Sequence, residues 1–306
     1  MNTVSFEVVD VFTATRFGGN PLAVITDGRG LDTALMQQIA REFGFSETTF
    51  VLPPTNPGHT ARVRIFTPTT EVPFAGHPNV GTAYVLARLG DLFGKALSDD
   101  LLFEEEAGLV AVAIQRSGTA VTGAAITAPR ALEVGLEVAP AVVAACVSLS
   151  PDDIALAAHP PRFLSVGLPF IAAELVDREA LSRARPNIEH FLEADARLSD
   201  RSGFNVATFL YVPDADNPAQ LSARMFAPLD DVAEDPATGS ASAALAAFLA
   251  SRMPQSDGEI ALTIVQGVDM GRPSTIRLLV IKSAGAVQRV VVSGDCVSVM
   301  RGEMSV

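Results

Sequence analysis

From Val4 to Phe12 the sequence Val-Ser-Phe-Glu-Val-Val-Asp-Val-Phe largely alternates apolar with polar side chains, the period of a strand with one buried face. A Gly18-Gly19-Asn20-Pro21 turn separates it from a second apolar run, Leu22–Ile25. The period then changes. Between Leu31 and Glu42 the residues Leu35, Ile39 and Ala40 fall on one face of a helix, and Gly44 supplies its stop. Strands are predicted at Thr48–Leu52 and Ala61–Phe66, followed by a loop rich in Pro and Gly. The segment Val80–Leu89 is apolar, rich in small residues and closed by Gly90, which predicts a buried helix. Strands at Leu109–Ile114 and Gly123–Ile126 complete the first half.

The second half has the same ingredients. Strands are predicted at Phe163–Val166, Phe170–Ala172, Thr208–Val212 and Ser222–Phe226, with a short helix at Asn187–Asp195. An Ala-rich helix, Ala241–Ala250, precedes strands at Ile260–Val265, Thr275–Ile281, Val287–Ser293 and Val297–Met300. Arg64-Ile-Phe-Thr-Pro68 reappears as Arg224-Met-Phe-Ala-Pro228, and each copy leads through acidic residues and a Gly-containing loop into a buried helix. The interval is far too long for a solenoid. It predicts a duplication: two related lobes with a cleft between them, residues 1–127 and 128–293, with the crossing inside Thr127–Pro161. The 306 residues suit two domains of ordinary size.

Composition narrows the partners. The chain is 48% hydrophobic with no Trp and few aromatic residues, which argues against surfaces that stack bases or sugars. Its net charge of −13 and the lack of any Lys/Arg-rich run disfavour nucleic acid and anionic membrane. No stretch reaches the ~18 uninterrupted apolar residues that span a bilayer. The N-terminus lacks the basic and apolar regions of a secretory signal, and Cys146 and Cys296 stand far apart with no metal spacing. A reducing, cytoplasmic setting is therefore expected, with both thiols as ordinary core residues. No metal-ligand cluster and no Gly-x-Gly-x-x-Gly turn appears, so no cofactor is expected.

Candidate chemistry gathers in the two loops that enter the buried helices, Phe74-Ala-Gly-His-Pro-Asn-Val-Gly81 and Glu234-Asp-Pro-Ala-Thr-Gly-Ser-Ala241. A helix N-terminus offers unpaired N–H groups and the positive end of a dipole, and Gly76 and Gly239 let the backbone approach a ligand. A pair of such sites suits a small anionic, carboxylated substrate; the plainer alternative is that these residues only cap helices. His77 offers a hydrogen bond to a carboxylate or help in proton transfer, against a loop histidine bonded to a backbone carbonyl. Thr238 and Ser240 offer hydroxyl or N–H donors, a role an N-cap explains almost as well. Asp235, just before a proline, is a turn former or a ligand holder. Glu47 is either a solvated glutamate at a helix end or, if buried so that its pKa rises, an acid–base catalyst.

These blocks carry a resemblance. Val9-Asp-Val-Phe-Thr with Gly19-Asn-Pro-Leu-Ala-Val24, Phe45-Ser-Glu-Thr-Thr-Phe-Val51, Pro73-Phe-Ala-Gly-His-Pro78, Glu234-Asp-Pro-Ala-Thr-Gly-Ser240 and Gln266-Gly-Val-Asp-Met-Gly-Arg-Pro273 resemble the PhzF-like (phenazine biosynthesis F) isomerases, in order and nearly from end to end. The resemblance implies an α+β, diaminopimelate-epimerase-like fold: two pseudo-symmetric lobes, each a curved sheet or barrel around a central helix. It also implies a return strand at 294–306 completing the first lobe, and a homodimer. It makes Glu47 the catalytic acid–base, with His77 and Asp235 as its companions and the substrate held by Gly76, Thr238, Gly239 and Ser240. The reaction implied is a proton shift without metal or organic cofactor. Epimerases of this fold use a cysteine at each helix entrance; here those places hold Ala75-Gly76 and Ala237-Thr238, which argues against a two-thiol racemase. A one-base epimerase or lyase, and a binding protein without turnover, remain as alternatives.

Overall fold

The structure, a computed structural model, describes residues 3–198 and 204–306. The chain divides into two units, Met1–Pro129 with Val291–Val306, and Arg130–Val290. In chain order the first holds β1 (Thr3–Val11), β2 (Asn20–Ile25), α1 (Thr33–Phe43), β3 (Glu47–Leu52), β4 (Ala61–Phe66), β5 (Glu71–Val72), α2 (Gly76–Leu89), the hairpin of β6 (Asp91–Leu92) and β7 (Lys95–Ala96), β8 (Asp100–Glu105), β9 (Gly108–Ser117) and β10 (Ala120–Thr127). The second holds β11 (Glu133–Glu137), α3 (Pro140–Cys146), β12 (Arg162–Ser165), β13 (Pro169–Glu174), α4 (Arg178–Arg183), α5 (Ile188–Leu198), β14 (Thr208–Pro213), β15 (Gln220–Ala227), β16 (Val232–Asp235), α6 (Gly239–Arg252), β17 (Gly258–Gln266) and β18 (Ser274–Ser283). The last strand, β19 (Ala286–Ser305), starts in the second unit and ends in the first.

Eight strands of the first unit close on themselves. Antiparallel pairs join β1 to β2, β3 to β4, β8 to β9, β9 to β10, β10 to β19 and β19 to β1. Parallel pairs, β2 with β3 and β4 with β8, complete the ring. A closed barrel has no free edge. Helix α2 fills it, packed on β1, β2, β3, β9 and β10, with twelve of its fourteen residues buried. Close packing requires Gly81: a Cβ there would lie 2.6 Å from Leu22 Cδ2 and 2.7 Å from Val11 Cγ2. On the parallel β2–β3 connection, α1 covers the outside with Met36, Ile39 and Ala40. The Asp32 carboxylate caps its start, and left-handed Gly44 (φ 65°) ends it.

The second unit repeats the same pairing sequence. β12 is antiparallel to β13, β13 parallel to β14, β14 antiparallel to β15, β15 antiparallel to β16 and parallel to β17, and β17 antiparallel to β18. Helix α6 packs on β12, β13, β17 and β18 with eleven of fourteen residues buried, most of them alanine. The two Arg-x-Phe motifs occupy equivalent strands, β4 and β15. Arg64 pairs with Glu71 (2.6 Å) and lies 5.1 Å over the Phe66 ring; Arg224 pairs with Glu234 (2.7 Å) and lies 4.9 Å over Phe226. One ion pair thus ties β4 to β5 and β15 to β16.

Two sequence expectations need correction. The buried helices begin at Gly76 and Gly239, so what reads as loop is the first helical turn. Gly, Ser and Pro break a helix interior but are tolerated there, where N–H groups have no intrahelical partner. The strands read at Val287–Ser293 and Val297–Met300 are one, because the ladder with β10 runs through Ala124↔Gly294 and Gly123↔Asp295. Gly294 lacks a Cβ because the Phe12 ring lies against it.

Arg224 is the deeper of the paired arginines. Its side chain is 4% exposed, against 15% for Arg64, and it also donates to the carbonyls of Leu181 (3.0 Å) and Ala184 (2.8 Å) near the end of α4. Removing one partner of a buried pair costs ~3–5 kcal/mol. Arg224→Ala is therefore expected to lose about that much stability in urea unfolding and Arg64→Ala distinctly less; a loss under ~1 kcal/mol for Arg224→Ala would contradict this.

Candidate active site

Three side chains of the first unit converge at the entrance of α2. Glu47 opens β3, just after the turn that ends α1, rather than standing at a helix end in solvent; its side chain is 19% exposed. His77 is the second residue of α2, not a loop residue, and is buried. Asn20 opens β2, beside β3 in the parallel pair that sets Leu22 opposite Glu47. The Asn20 amide Nδ2 lies 3.3 Å from His77 Nδ1, and an amide nitrogen only donates, so Nδ1 accepts and the ring proton sits on Nε2. That Nε2 faces Glu47 Oε2 at 3.5 Å. Burial pushes the His77 pKa down to about 3, so the ring is neutral through the physiological range and presents an N–H to the carboxylate. A buried hydroxyl pair, Thr49 with Thr82 at 2.8 Å, ties β3 to α2 one turn farther on.

The second unit has a different constellation at the entrance of α6. Asp235 ends β16 and is 5% exposed; its Oδ2 accepts a 2.5 Å bond from the Thr238 hydroxyl. Thr238 occupies the N-cap position, yet its side chain makes no cap bond, being turned to Asp235 instead. Fully buried Gln266 fixes the segment. Its Nε2 donates to the Asp235 carbonyl (2.7 Å) and the Thr238 hydroxyl (3.0 Å), and its Oε1 accepts from the Thr238 N–H (3.0 Å). Gly267 (φ 74°) turns the chain where a Cβ would lie 2.7 Å from the Pro236 carbonyl oxygen. Gly239 and Ser240 open α6 as Gly76 and His77 open α2. Ala75, the N-cap of α2, has no side chain to cap with, so both buried helices begin without a side-chain cap.

The strand registers show how unlike the duplicated entrances are. Phe66 faces Thr48 in β3 and Phe226 faces Thr208 in β14, so Glu47 corresponds to Ala207. Leu22 faces Glu47 and Ile171 faces Thr208, so Asn20 corresponds to Leu168. The helix starts pair His77 with Ser240, and the Arg–Glu ion pairs place Val72 opposite Asp235. The Glu47–His77–Asn20 group has no copy in the second unit, and Asp235 has none in the first. Asn20 and Gln266 carried no role in the sequence reading although both lie inside its motif blocks; an amide side chain beside a Gly or Pro turn was the available signal.

Comparisons with known proteins identify the family and the fold. The model of the PhzC-PhzF family, described as phenazine biosynthesis-like protein, matches residues 9–302. An uncharacterized isomerase of Mesorhizobium japonicum is 39% identical over 305 residues, 99% of each chain. The trans-2,3-dihydro-3-hydroxyanthranilate isomerase of Pseudomonas chlororaphis is 36% identical over 301 residues, covering 97% of this chain and 98% of that protein. Among solved structures, a PhzF-family phenazine biosynthesis protein of Bacillus anthracis superposes with TM-score 0.87 at 25% identity, all of both chains covered.

A histidine held neutral by burial makes stability depend on acid. The unfolded chain takes up the proton near 6.5, the folded one only near 3, so stability is fully present above the first value and falls as pH drops toward the second. Within that window His77 contributes a slope of up to ~1.4 kcal/mol per pH unit. His77→Gln should flatten the acid limb of stability measured by chemical denaturation at pH 4 to 7. An unchanged limb would mean that His77 is not the buried neutral group described.

Proposed function

The chain belongs to the PhzC-PhzF family of phenazine biosynthesis-like isomerases, and from that premise we propose that it moves a proton between carbons of a small carboxylated substrate, with Glu47 as the acid–base. The observation that carries this reading is the Glu47–neutral His77 pair at 3.5 Å, present in one unit only. One carboxylate takes the proton from one carbon and returns it to another. The His77 Nε2–H stabilises the charge on Glu47 before the proton arrives, or on the substrate after it leaves. Such a shift leaves the oxidation level unchanged, so the proposal calls on no cofactor. Gly76 with His77, and Thr238 with Gly239 and Ser240, offer the first-turn N–H groups that suit the substrate's anionic group. Asp235, with Oδ2 fixed by Thr238, holds an amino or hydroxyl group of the substrate.

The substrate of the Pseudomonas chlororaphis relative, a dihydro-hydroxyanthranilate by its name, has all three features: a carboxylate, an amino group and a hydroxyl. It is the first compound to test, followed by other small cyclic amino carboxylates, with turnover read by NMR. A protein that only binds such compounds has no use for a carboxylate held beside a neutral histidine, which places that alternative second.

Glu47→Gln keeps shape and hydrogen-bonding capacity but removes the base, and is expected to lower kcat by at least ~10²-fold with little change in ligand affinity. Asp235→Asn should weaken binding and turnover together. Turnover by Glu47→Gln within about threefold of wild type would end the acid–base assignment, since such groups are worth ~10²–10⁴-fold.

A further inference from the structure

The duplication puts an unexplained residue, Glu105, in a telling place. In the first unit β4 runs parallel to β8 with Arg62 opposite Glu104; in the second, β15 runs parallel to β17 with Ser222 opposite Val265. Arg64 and Arg224 are equivalent and lie two residues beyond Arg62 and Ser222, so Glu104 matches Val265 and Glu105 matches Gln266. Each is the last residue of its strand. Gln266 bonds the chain entering α6 through one donor and one acceptor. We propose that Glu105 is its counterpart: an uncharged carboxylic acid that clamps the entry into α2 and so positions His77.

The surroundings support this on geometry. Both Glu105 carboxyl oxygens are buried without a hydrogen-bond partner, and so is Oδ1 of Asn79 in the first turns of α2. Asn79 Nδ2 donates to the carbonyl of Ala75, the N-cap residue, at 3.0 Å. Beyond Glu105 the chain stays on the same segment, Ala107 N–H donating to the Pro73 carbonyl at 3.0 Å. A protonated carboxyl offers a donor and an acceptor side by side, one donor hydrogen fewer than a glutamine amide. Burial pushes the Glu105 pKa up to about 8, with Asn79 pulling it partly back.

Several charged groups lie around it. Arg62 and Arg64 from β4, Glu71 from β5, and Glu104 and Glu106 from its own hairpin line one cavity of ≈ 500 Å³ with Glu105. Arg64 is taken by Glu71, and Glu104 is held near 2 by the Asn56 and Thr55 amides, with help from His59. Helix α2 contributes uncharged Asn79. Ionising Glu105 would add a carboxylate to a cavity that already holds Glu71, Glu104 and Glu106, with only the Asn79 amide to favour its charged form.

Glu105 acts through α2 and is a positioning residue. Its bearing on catalysis rests on the function proposed above; the clamp does not, and is tested without substrate. An acid whose folded pKa is raised contributes stability that is full below its unfolded value near 4.5 and is lost as pH rises through about 8. Thermal melts of wild type and Glu105→Gln at pH 5 and pH 9 are expected to agree at the lower pH, with the variant higher by at least ~3 °C at the upper. The same offset at both values, or a wild type that gains on the variant at pH 9, would overturn the proposal. If the variant does not fold, a carbon-13 titration of the wild-type Glu105 carboxyl decides. A midpoint above 7 supports the uncharged clamp; a midpoint between 4 and 5 refutes it. For the catalytic part, Glu105→Gln should lose the alkaline fall in kcat/KM; if the melts agree with the clamp but that fall persists, the clamp stands and its catalytic bearing fails.

Discussion

The structure depends on how two largely buried helices begin. A helix leaves its first N–H groups without intrahelical partners, and a surface helix hands them to water or a capping side chain. Helices α2 and α6 pack among strands, and Ala75 and Thr238 give no side-chain cap. What answers this constraint also builds the site. Small residues and Pro78 occupy the first turns, and the chain entering each helix is fixed by groups on neighbouring strand ends. A helix N-terminus of this kind favours an anion, which is why the proposed substrate is a carboxylate.

The two units share this frame, and their entrances carry different side chains. The ion pairs of Arg64 and Arg224 stayed, with the pairing order of the strands, because each holds a strand that the buried helix requires. The entrances changed. One carries Glu47, His77 and Asn20; the other carries Asp235, Thr238 and Gln266, and has Ala207, Ser240 and Leu168 at the places equivalent to Glu47, His77 and Asn20. A symmetric pair of bases suits removal and return of a proton on opposite faces of one carbon. A single carboxylate suits carrying a proton from one carbon to another, the chemistry of an isomerase.

Much of this was legible in the sequence because its signals are local. Period-two alternation marked β1, small apolar residues marked α2 and α6, and the Arg-x-Phe repeat exposed the duplication. Glu47 and His77, named from motif blocks, prove to be neighbours in space. What stayed hidden depends on contacts distant in sequence. Nothing local tells that Asn20 sets the tautomer of a histidine fifty-seven residues away, or that Gln266 reaches back to Thr238. The break read at Gly294 failed because glycine also marks close approach, here of Phe12, without ending a strand.

The central claim is that one base in one unit handles the proton, and its stereochemistry tests this most directly. A substrate such as trans-2,3-dihydro-3-hydroxyanthranilate would be converted in D2O and the label located in the product. A single Glu47 predicts that the receiving carbon gains its proton or deuteron on the ring face from which the other was taken. Deuterium delivered to the opposite face would require a second base and would contradict the account.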